Sequence, residues 1–258
     1  MNFNFKKKFG QNFLIDQNIL NKIIAEVSPN EEDLIIEIGA GSGNLTKQLI
    51  NYNCHLLAYE IDLDTKQYLE PLTSDKTQII YNDFLKRNIQ EDLSEITYKN
   101  LYVIANLPYY ITTPIIEKII QEDLKPQKML LMVQKEVADR ISSQPKSRDY
   151  GYITVYLNYF FEIRKLFNVG KTSFKPVPKV ESAILEFTYH NKYNCKNEVV
   201  LFQLMKDAFQ FKRKNLNNNL SNYDKELISQ ILSKYGLSLT SRAEELPIEV
   251  FIEIANSL

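Results

Sequence analysis

Four consecutive residues, Asn106-Leu107-Pro108-Tyr109, could present two carbonyl acceptors and an aromatic face at one point of the chain. The Asn106 side chain and the Leu107 backbone each offer an oxygen that accepts one N–H. Pro108 fixes the backbone and brings no competing N–H. Tyr109 gives a planar base a surface to stack on. The combination suits the exocyclic amine of an adenine. That nitrogen's lone pair is delocalised into the ring, and deprotonation is not a practical route to a nucleophile. Two acceptors gripping its N–H bonds can instead localise the lone pair and aim it. Alone, the tetrapeptide could equally be a strand-to-loop turn.

A second constellation holds three of the seven glycines within five residues, Gly39-Ala40-Gly41-Ser42-Gly43. Glycines there let the backbone turn sharply and let a ligand approach the main chain. Glu60 closes the next apolar run, 21 positions after Gly39, where a carboxylate can accept hydrogen bonds from ribose hydroxyls. The dinucleotide fingerprint G-x-G-x-x-G would need Gly or Ala at position 44, and Asn44 stands there. The pattern Glu37-x-Gly39-x-Gly41-x-Gly43 instead resembles the first motif of class I methyltransferases. That resemblance implies S-adenosylmethionine as cofactor, Glu37 suited to its cationic methionine tail, and Asp83 placed to read its adenine. Asn106 to Tyr109 is similar to the N-[LIP]-P-[YF] motif of adenine-N6 methyltransferases.

These residues need elements that carry them to one place. Short β-rich runs recur at Leu34–Ile38, His55–Tyr59, Gln78–Tyr81, Leu101–Ala105 and Met129–Val133. Helix-like stretches separate or follow them at Gly43–Ile50, Asp62–Leu69, Thr113–Gln121 and Lys135–Ile141. The alternation predicts βαβ units and a mostly parallel sheet. Val155–Leu166 and Ala183–Tyr189 read as a terminal antiparallel hairpin. Beyond residue 190 the texture turns helical, at Glu198–Phe211, Lys225–Tyr235 and Pro247–Asn256. The expected organisation is an α/β, Rossmann-like methyltransferase domain over 1–190 and a small all-α domain over 191–258.

Bulk properties narrow the classes. A chain of 258 residues, 44% of them hydrophobic, can bury a large core. Cys54 and Cys195 have no C-x-x-C spacing, and His55 and His190 have no partner set, so no disulfide framework, metal site or His triad is expected. Lys6-Lys7-Lys8 is followed by no apolar stretch, no Arg precedes Arg87, and no run of 18 apolar residues occurs. A cytoplasmic enzyme without a membrane anchor is the expectation, and nothing demands a dimer. The net charge of −1 leaves a nucleic-acid partner open, because a basic patch can exist on a neutral chain. From Arg164 to Lys179 there are five basic residues and no acidic one: Arg164, Lys165, Lys171, Lys175 and Lys179. Lys212-Arg213-Lys214, beside Phe209 and Phe211, forms a second cluster. Basic residues interleaved with aromatics suit phosphate contacts and stacking, though a charge run is often only a solvated face.

The likeness extends past single motifs. Residues 7–14, 37–46, 106–111, 134–140, Phe174 to Ser182 and Arg242 to Leu246 resemble the small-subunit ribosomal RNA adenine dimethyltransferases, nearly end to end. The resemblance implies transfer of four methyl groups to two adjacent adenosines in the 3′-terminal hairpin of 16S rRNA, within a partly assembled pre-30S particle. It implies that Asn12, Leu14, Gly39, Gly41, Glu60, Asp83 and Asn106 line the cofactor site. Asn106, Leu107 and Tyr109 would hold the base, with Phe174 stacking on its other face. The family often has Pro where Ala40 stands, which touches no ligand role. Competing readings are the related large-subunit methyltransferase of antibiotic resistance, a DNA adenine methylase, and an assembly factor with a vestigial site. Arg242 to Leu246 argues against the first, chain length against the second, and the intact motifs against the third.

Overall fold

The structure is a computed structural model that describes residues 12–107 and 111–258. The expectations placed on Tyr109 and Lys6 to Lys8 fall outside the described residues. A short strand β1 (Phe13–Leu14) leads into helix α1 (Gln17–Val27). The Asp16 carboxylate accepts from the N–H groups of Asn18 and Ile19 and caps that helix, while Leu20, Ile23, Ile24 and Val27 form its buried stripe. An alternating series follows: β2 (Leu34–Ile38), α2 (Thr46–Leu49), β3 (His55–Tyr59), α3 (Lys66–Leu69), β4 (Thr77–Ile80), α4 (Ile89–Leu93), β5 (Leu101–Asn106), α5 (Thr112–Gln121) and β6 (Lys128–Gln134). Every residue of β2 is buried, the mark of a strand covered on both faces of a parallel sheet.

Then come α6 (Lys135–Ile141), α7 (Tyr152–Phe160), β7 (Phe161–Val169), β8 (Phe174–Lys175) and β9 (Ser182–Tyr189). The main sheet has seven strands in the order β4-β3-β2-β5-β6-β9-β7. The pairs β3–β4, β2–β3, β2–β5 and β5–β6 are parallel, and β9 runs antiparallel to β6. From β2 the chain builds outward to β3 and β4 on one side, then returns to add β5 and β6 on the other. The reversal falls beside β2, where open α/β sheets place their ligands.

Residues 155–160 correct the expected hairpin. They lie in α7, and only β7 and β9 are neighbouring strands. A run of β-branched and aromatic residues suits a strand locally, but Val155 and Tyr159, four apart, both enter a helical core. Four further helices, α8 (Glu198–Ala208), α9 (Leu216–Asn219), α10 (Lys225–Lys234) and α11 (Ile248–Ser257), complete the chain.

Two compact units result. One comprises the residues through Ala138 together with Arg164–Tyr189; the other comprises Asp139–Ile163 and His190–Leu258. The second unit thus includes α7 as well as the tail, and its core gathers Val155, Leu204, Ile231, Phe251 and Ile254. No helix of the described residues is long and apolar enough to cross a membrane.

One ion network ties the sheet edge of the first unit. Glu186 in β9 is buried; its carboxylate accepts from Arg164 Nε at 3.0 Å and lies 3.2 Å from Lys128 Nζ. Burial alone would raise its pKa, but hydrogen bonds from Arg164 and Lys128 outweigh burial and hold the carboxyl below its ordinary range. A depressed carboxylate adds stability above its unfolded pKa and loses it as pH falls through the folded value. We expect Glu186→Ala to cost roughly 2 kcal/mol at pH 7, discounted because Arg164 is exposed, with the deficit narrowing below about pH 4. Urea midpoints of both proteins at pH 7 and pH 3.5 check both statements, and a pH-independent difference would remove the ionic explanation.

Candidate active site

The glycine loop leaves β2 and is pinned to the end of β3. The N–H groups of Gly39 and Ala40 both donate to the Tyr59 carbonyl, at 2.8 and 3.2 Å. The next anchor is Glu60, whose carboxylate accepts from Gly41 N–H and from Asp62 N–H, each at 2.7 Å. Burial raises the Glu60 pKa, with the Asp62 and Gly41 N–H groups opposing it. One buried carboxylate therefore holds the loops after β2 and after β3 together.

Two glycines are dictated by close neighbours. Gly39 has φ +82°, and a Cβ there would lie 3.3 Å from the Asn106 backbone carbonyl. Gly41 has φ +56°, and its Cβ would sit 2.9 Å from the Phe13 ring. A side chain at either place would be strained by the backbone and crowded by its surroundings.

A cleft opens over this loop, lined by Phe13, Leu14, Glu37, Gly41, Asn44 and Asn106 among others. Glu37 is 2% exposed, with the Thr46 hydroxyl donating to its carboxylate at 2.8 Å. Burial pushes its pKa up to about 7, against the Thr46 hydrogen bond and with help from the negative charge of Glu60. Asn106 ends β5, and its Nδ2 donates to the Asn12 backbone carbonyl at 3.3 Å. That leaves the side-chain oxygen to accept from another group. Leu107, the next residue, is buried.

The predicted residues separate on inspection. Leu14, Gly39, Gly41 and Asn106 line the cleft, Asn12 touches Asn106, and Glu60 braces the loop. Asp83 is not in the lining; its Oδ1 accepts from Leu85 N–H and caps a short helical turn. Phe174 is only 2% exposed and packs in a core cluster with Leu14, Val169 and Ile184, so the structure uses its ring for packing. Phe13 and Thr46 were not among the expected site residues, and Asn44 was noted only as the residue that breaks the dinucleotide fingerprint. The alternation of Phe13 with Leu14 in an extended strand was the available signal for the first.

Of the basic residues in the first unit, Lys175 and Lys179 are exposed and Lys165 is half-buried. Arg164 is exposed but engages Glu186, and Lys171 Nζ donates to the Lys179 carbonyl. In the second unit Lys212, Arg213 and Lys214 are all exposed beside an exposed Phe211, with Lys212 Nζ donating to the Arg148 carbonyl at 2.6 Å.

A seven-stranded Rossmann-like sheet, a glycine loop after β2, an acid after β3 and an asparagine ending β5 define a class I methyltransferase. The family model for ribosomal RNA adenine dimethylase matches residues 2–258. Ribosomal RNA small subunit methyltransferase A of Bacillus thuringiensis (strain Al Hakam) is 38% identical over 272 residues, spanning 99% of this chain and 92% of the relative. The protein of that name from Bacillus mycoides (strain KBAB4) shows the same identity and coverage. A solved dimethyladenosine transferase from Plasmodium falciparum has a TM-score of 0.77 at 24% identity, covering 94% of this chain and 95% of that one. For the 23S rRNA methyltransferase ErmE the TM-score is 0.73 at 21% identity, with 96% and 99% covered. Both solved structures support the fold. The chain belongs to the ribosomal RNA adenine dimethylase family.

The methyl donor of this family is S-adenosylmethionine, and the cleft suits it. Glu37 is a buried carboxylate whose hydrogen-bond donors, the hydroxyl and the backbone N–H of Thr46, are both neutral, so a cationic ligand complements it where a phosphate would repel it. Glu37 also makes stability depend on pH. Its folded pKa lies above the ordinary 4.5, so its contribution is present below that value and is lost as pH rises through about 7. The loss is on the order of 3 kcal/mol by alkaline pH. Glu37→Gln should therefore melt higher than the parent at pH 8 and equally at pH 4.5, in the absence of ligand. Parallel melting curves across that range would show that the buried charge is relieved some other way.

Proposed function

We propose that this protein transfers methyl groups from S-adenosylmethionine to the N6 amines of two adjacent adenosines in the 3′-terminal hairpin of small-subunit rRNA. The observation that carries the reading is the placement of Asn106. Its carboxamide nitrogen is anchored on Asn12, its side-chain oxygen is left for an amine, and its backbone carbonyl abuts Gly39 of the donor loop. Acceptor grip and methyl-donor loop therefore sit side by side. The small subunit is favoured over the large one because the 38%-identical relatives are named for it.

When bound, S-adenosylmethionine supplies an electrophilic methyl group on a sulfonium. The residues do the rest. Glu60 holds the loop that faces the cofactor, and Glu37 complements positive charge. Asp83 would read the cofactor adenine through Oδ2, which Leu85 does not use and which Lys86 Nζ pairs with loosely at 4.0 Å. Asn106 Oδ1 and the Leu107 carbonyl take the two N–H bonds of the target amine, and Tyr109 stacks on its ring. Neither oxygen is a base strong enough to deprotonate the amine, so the grip works by orientation.

The RNA has to bring a base out of its stack to reach this cleft. Residues 1–190 would carry the chemistry and 191–258 would contribute RNA binding through Lys212, Arg213 and Lys214. Lys175 and Lys179 would add phosphate contacts, as would Arg164, Lys165 and Lys171 with the charge their internal interactions leave exposed. The setting is a cytoplasmic pre-30S particle late in assembly, with the enzyme acting as a monomer.

Incubation with labelled cofactor and either immature small subunits or large subunits tests the reading. N6,N6-dimethyladenosine should appear in the small-subunit RNA, and its absence there would sink the proposal. Asn106→Ala should lower kcat by at least about a hundredfold with cofactor affinity changed less than about fivefold, the size of one lost hydrogen bond. Replacing Lys212, Arg213 and Lys214 together by Gln should reduce the slope of log affinity against log salt by about 2 to 3. An unaltered slope would take that cluster out of the interface.

A further inference from the structure

Asn44 is the residue that breaks the dinucleotide fingerprint, and nothing in the proposed chemistry uses it. It lines the cleft, and its Nδ2 donates to the Leu14 backbone carbonyl at 2.8 Å. Leu14 belongs to a strap, residues 12–16, that passes over the glycine loop. On one side the strap is fastened to residues 173–175. Phe13 and Leu14 pair with Lys175 and Phe174, Ile15 N–H donates to the Ser173 carbonyl at 2.9 Å, and the Ser173 hydroxyl donates to the Asp16 carboxylate at 3.0 Å. On the other side, the bond from Asn44 ties the strap directly to the donor loop.

Both halves of the site depend on where the strap lies. Phe13 sets its ring against Gly41 and forms a wall of the cleft. One residue earlier, the Asn12 carbonyl accepts from Asn106 Nδ2 and so decides which end of the Asn106 carboxamide is left for the substrate. We propose that Asn44 is a positioning residue for both: by holding the Leu14 carbonyl, it sets the Phe13 wall of the cofactor cleft and the Asn12 carbonyl that orients Asn106. Gly or Ala at position 44 has no donor with which to do this. The inference rests on the methyltransferase reading of the cleft, and it explains why a polar side chain occupies a position that cofactor contact alone does not require.

The test compares the full-length protein with Asn44→Ala and Asn44→Gln, the latter keeping an amide donor on a longer arm. Without ligand, amide hydrogen exchange over residues 13–15 should be about fivefold faster in Asn44→Ala, the consequence of one lost hydrogen bond, and closer to the parent in Asn44→Gln. Calorimetric titration with S-adenosylhomocysteine should show affinity weakened by a similar factor, and kcat on small subunits should also fall. Asn106→Ala, by contrast, should reduce kcat while the strap stays protected at Leu14 and Ile15. Unchanged strap exchange in Asn44→Ala overturns the proposal whatever happens to activity. Faster exchange with unaltered affinity and kcat overturns the coupling to the site. Failure of the parent protein to bind S-adenosylhomocysteine would instead reject the methyltransferase reading, and the two failures are distinct because strap exchange is read without ligand.

Discussion

The absence of one carbon atom holds this site together. Gly39 comes so near the Asn106 carbonyl that a Cβ would meet it at 3.3 Å. The approach follows from sheet register: Ile38 of β2 faces Ala105 of β5, so the residues that leave those strands, Gly39 and Asn106, emerge side by side. Methyl transfer requires donor and acceptor within a few tenths of an ångström of a productive separation. Here the spacing of Gly39 and Asn106 is fixed by hydrogen-bonded, buried parallel strands, and the strap over the loop completes the site. A side chain at position 39 would be strained at φ +82° and would crowd the Asn106 carbonyl.

The same junction explains two buried carboxylates so close together. Glu60 is supported by the N–H groups of Gly41 and Asp62, and Glu37 by the hydroxyl and N–H of Thr46, yet burial still pushes the Glu37 pKa up to about 7. Such an acid does not add stability when ionised, since desolvation outweighs both hydrogen bonds from Thr46. The arrangement makes sense if a cation completes it. A dinucleotide, with its pyrophosphate, would find the opposite of a complementary surface. Electrostatics and the missing glycine at position 44 therefore exclude the same alternative by independent routes.

Much of this was legible in the sequence, and the parts that were not have physical reasons. Strands β2 and β3 are buried apolar runs bounded by turn residues, and Leu34–Ile38 and His55–Tyr59 emerge with the expected limits. The glycine loop and Glu60 were legible because their spacing reflects a local strand–turn geometry. Helix α7 was not, because Tyr152–Phe160 is rich in residues that favour strands and is made helical by packing against α8 and α11. Phe174 looked like a stacking residue for a similar reason: an aromatic beside a proline-rich segment has one spelling for two roles, and only burial tells them apart. The strap was invisible, since its contacts join residues 12–16 to positions 44, 106 and 173, far away along the chain. The helix that follows it, Gln17–Val27, was not among the expected elements, although the Asp16 cap and the apolar residues at 20, 23, 24 and 27 were its available signal.

Dimethylation of a single nitrogen places a further demand on the grip. In the proposed grip the unmodified amine would offer two N–H bonds to Asn106 and Leu107, but after one transfer only one would remain. The second transfer therefore proceeds with one acceptor idle and a methyl group beside it. A grip built from neutral carbonyls tolerates this, because an idle carbonyl can turn to water, whereas a charged acceptor left unpaired would cost far more. One such hydrogen bond is worth about 1 kcal/mol, roughly fivefold in affinity. Retention of the half-modified base therefore depends mainly on stacking and on phosphate contacts made elsewhere, each independent of the methylation state. Under the proposed function, that division of labour would let a chain with a net charge of −1 act on RNA: the site would need only a neutral grip, and the exposed cations at Lys175, Lys179 and Lys212 to Lys214 would hold the polymer while the base is changed.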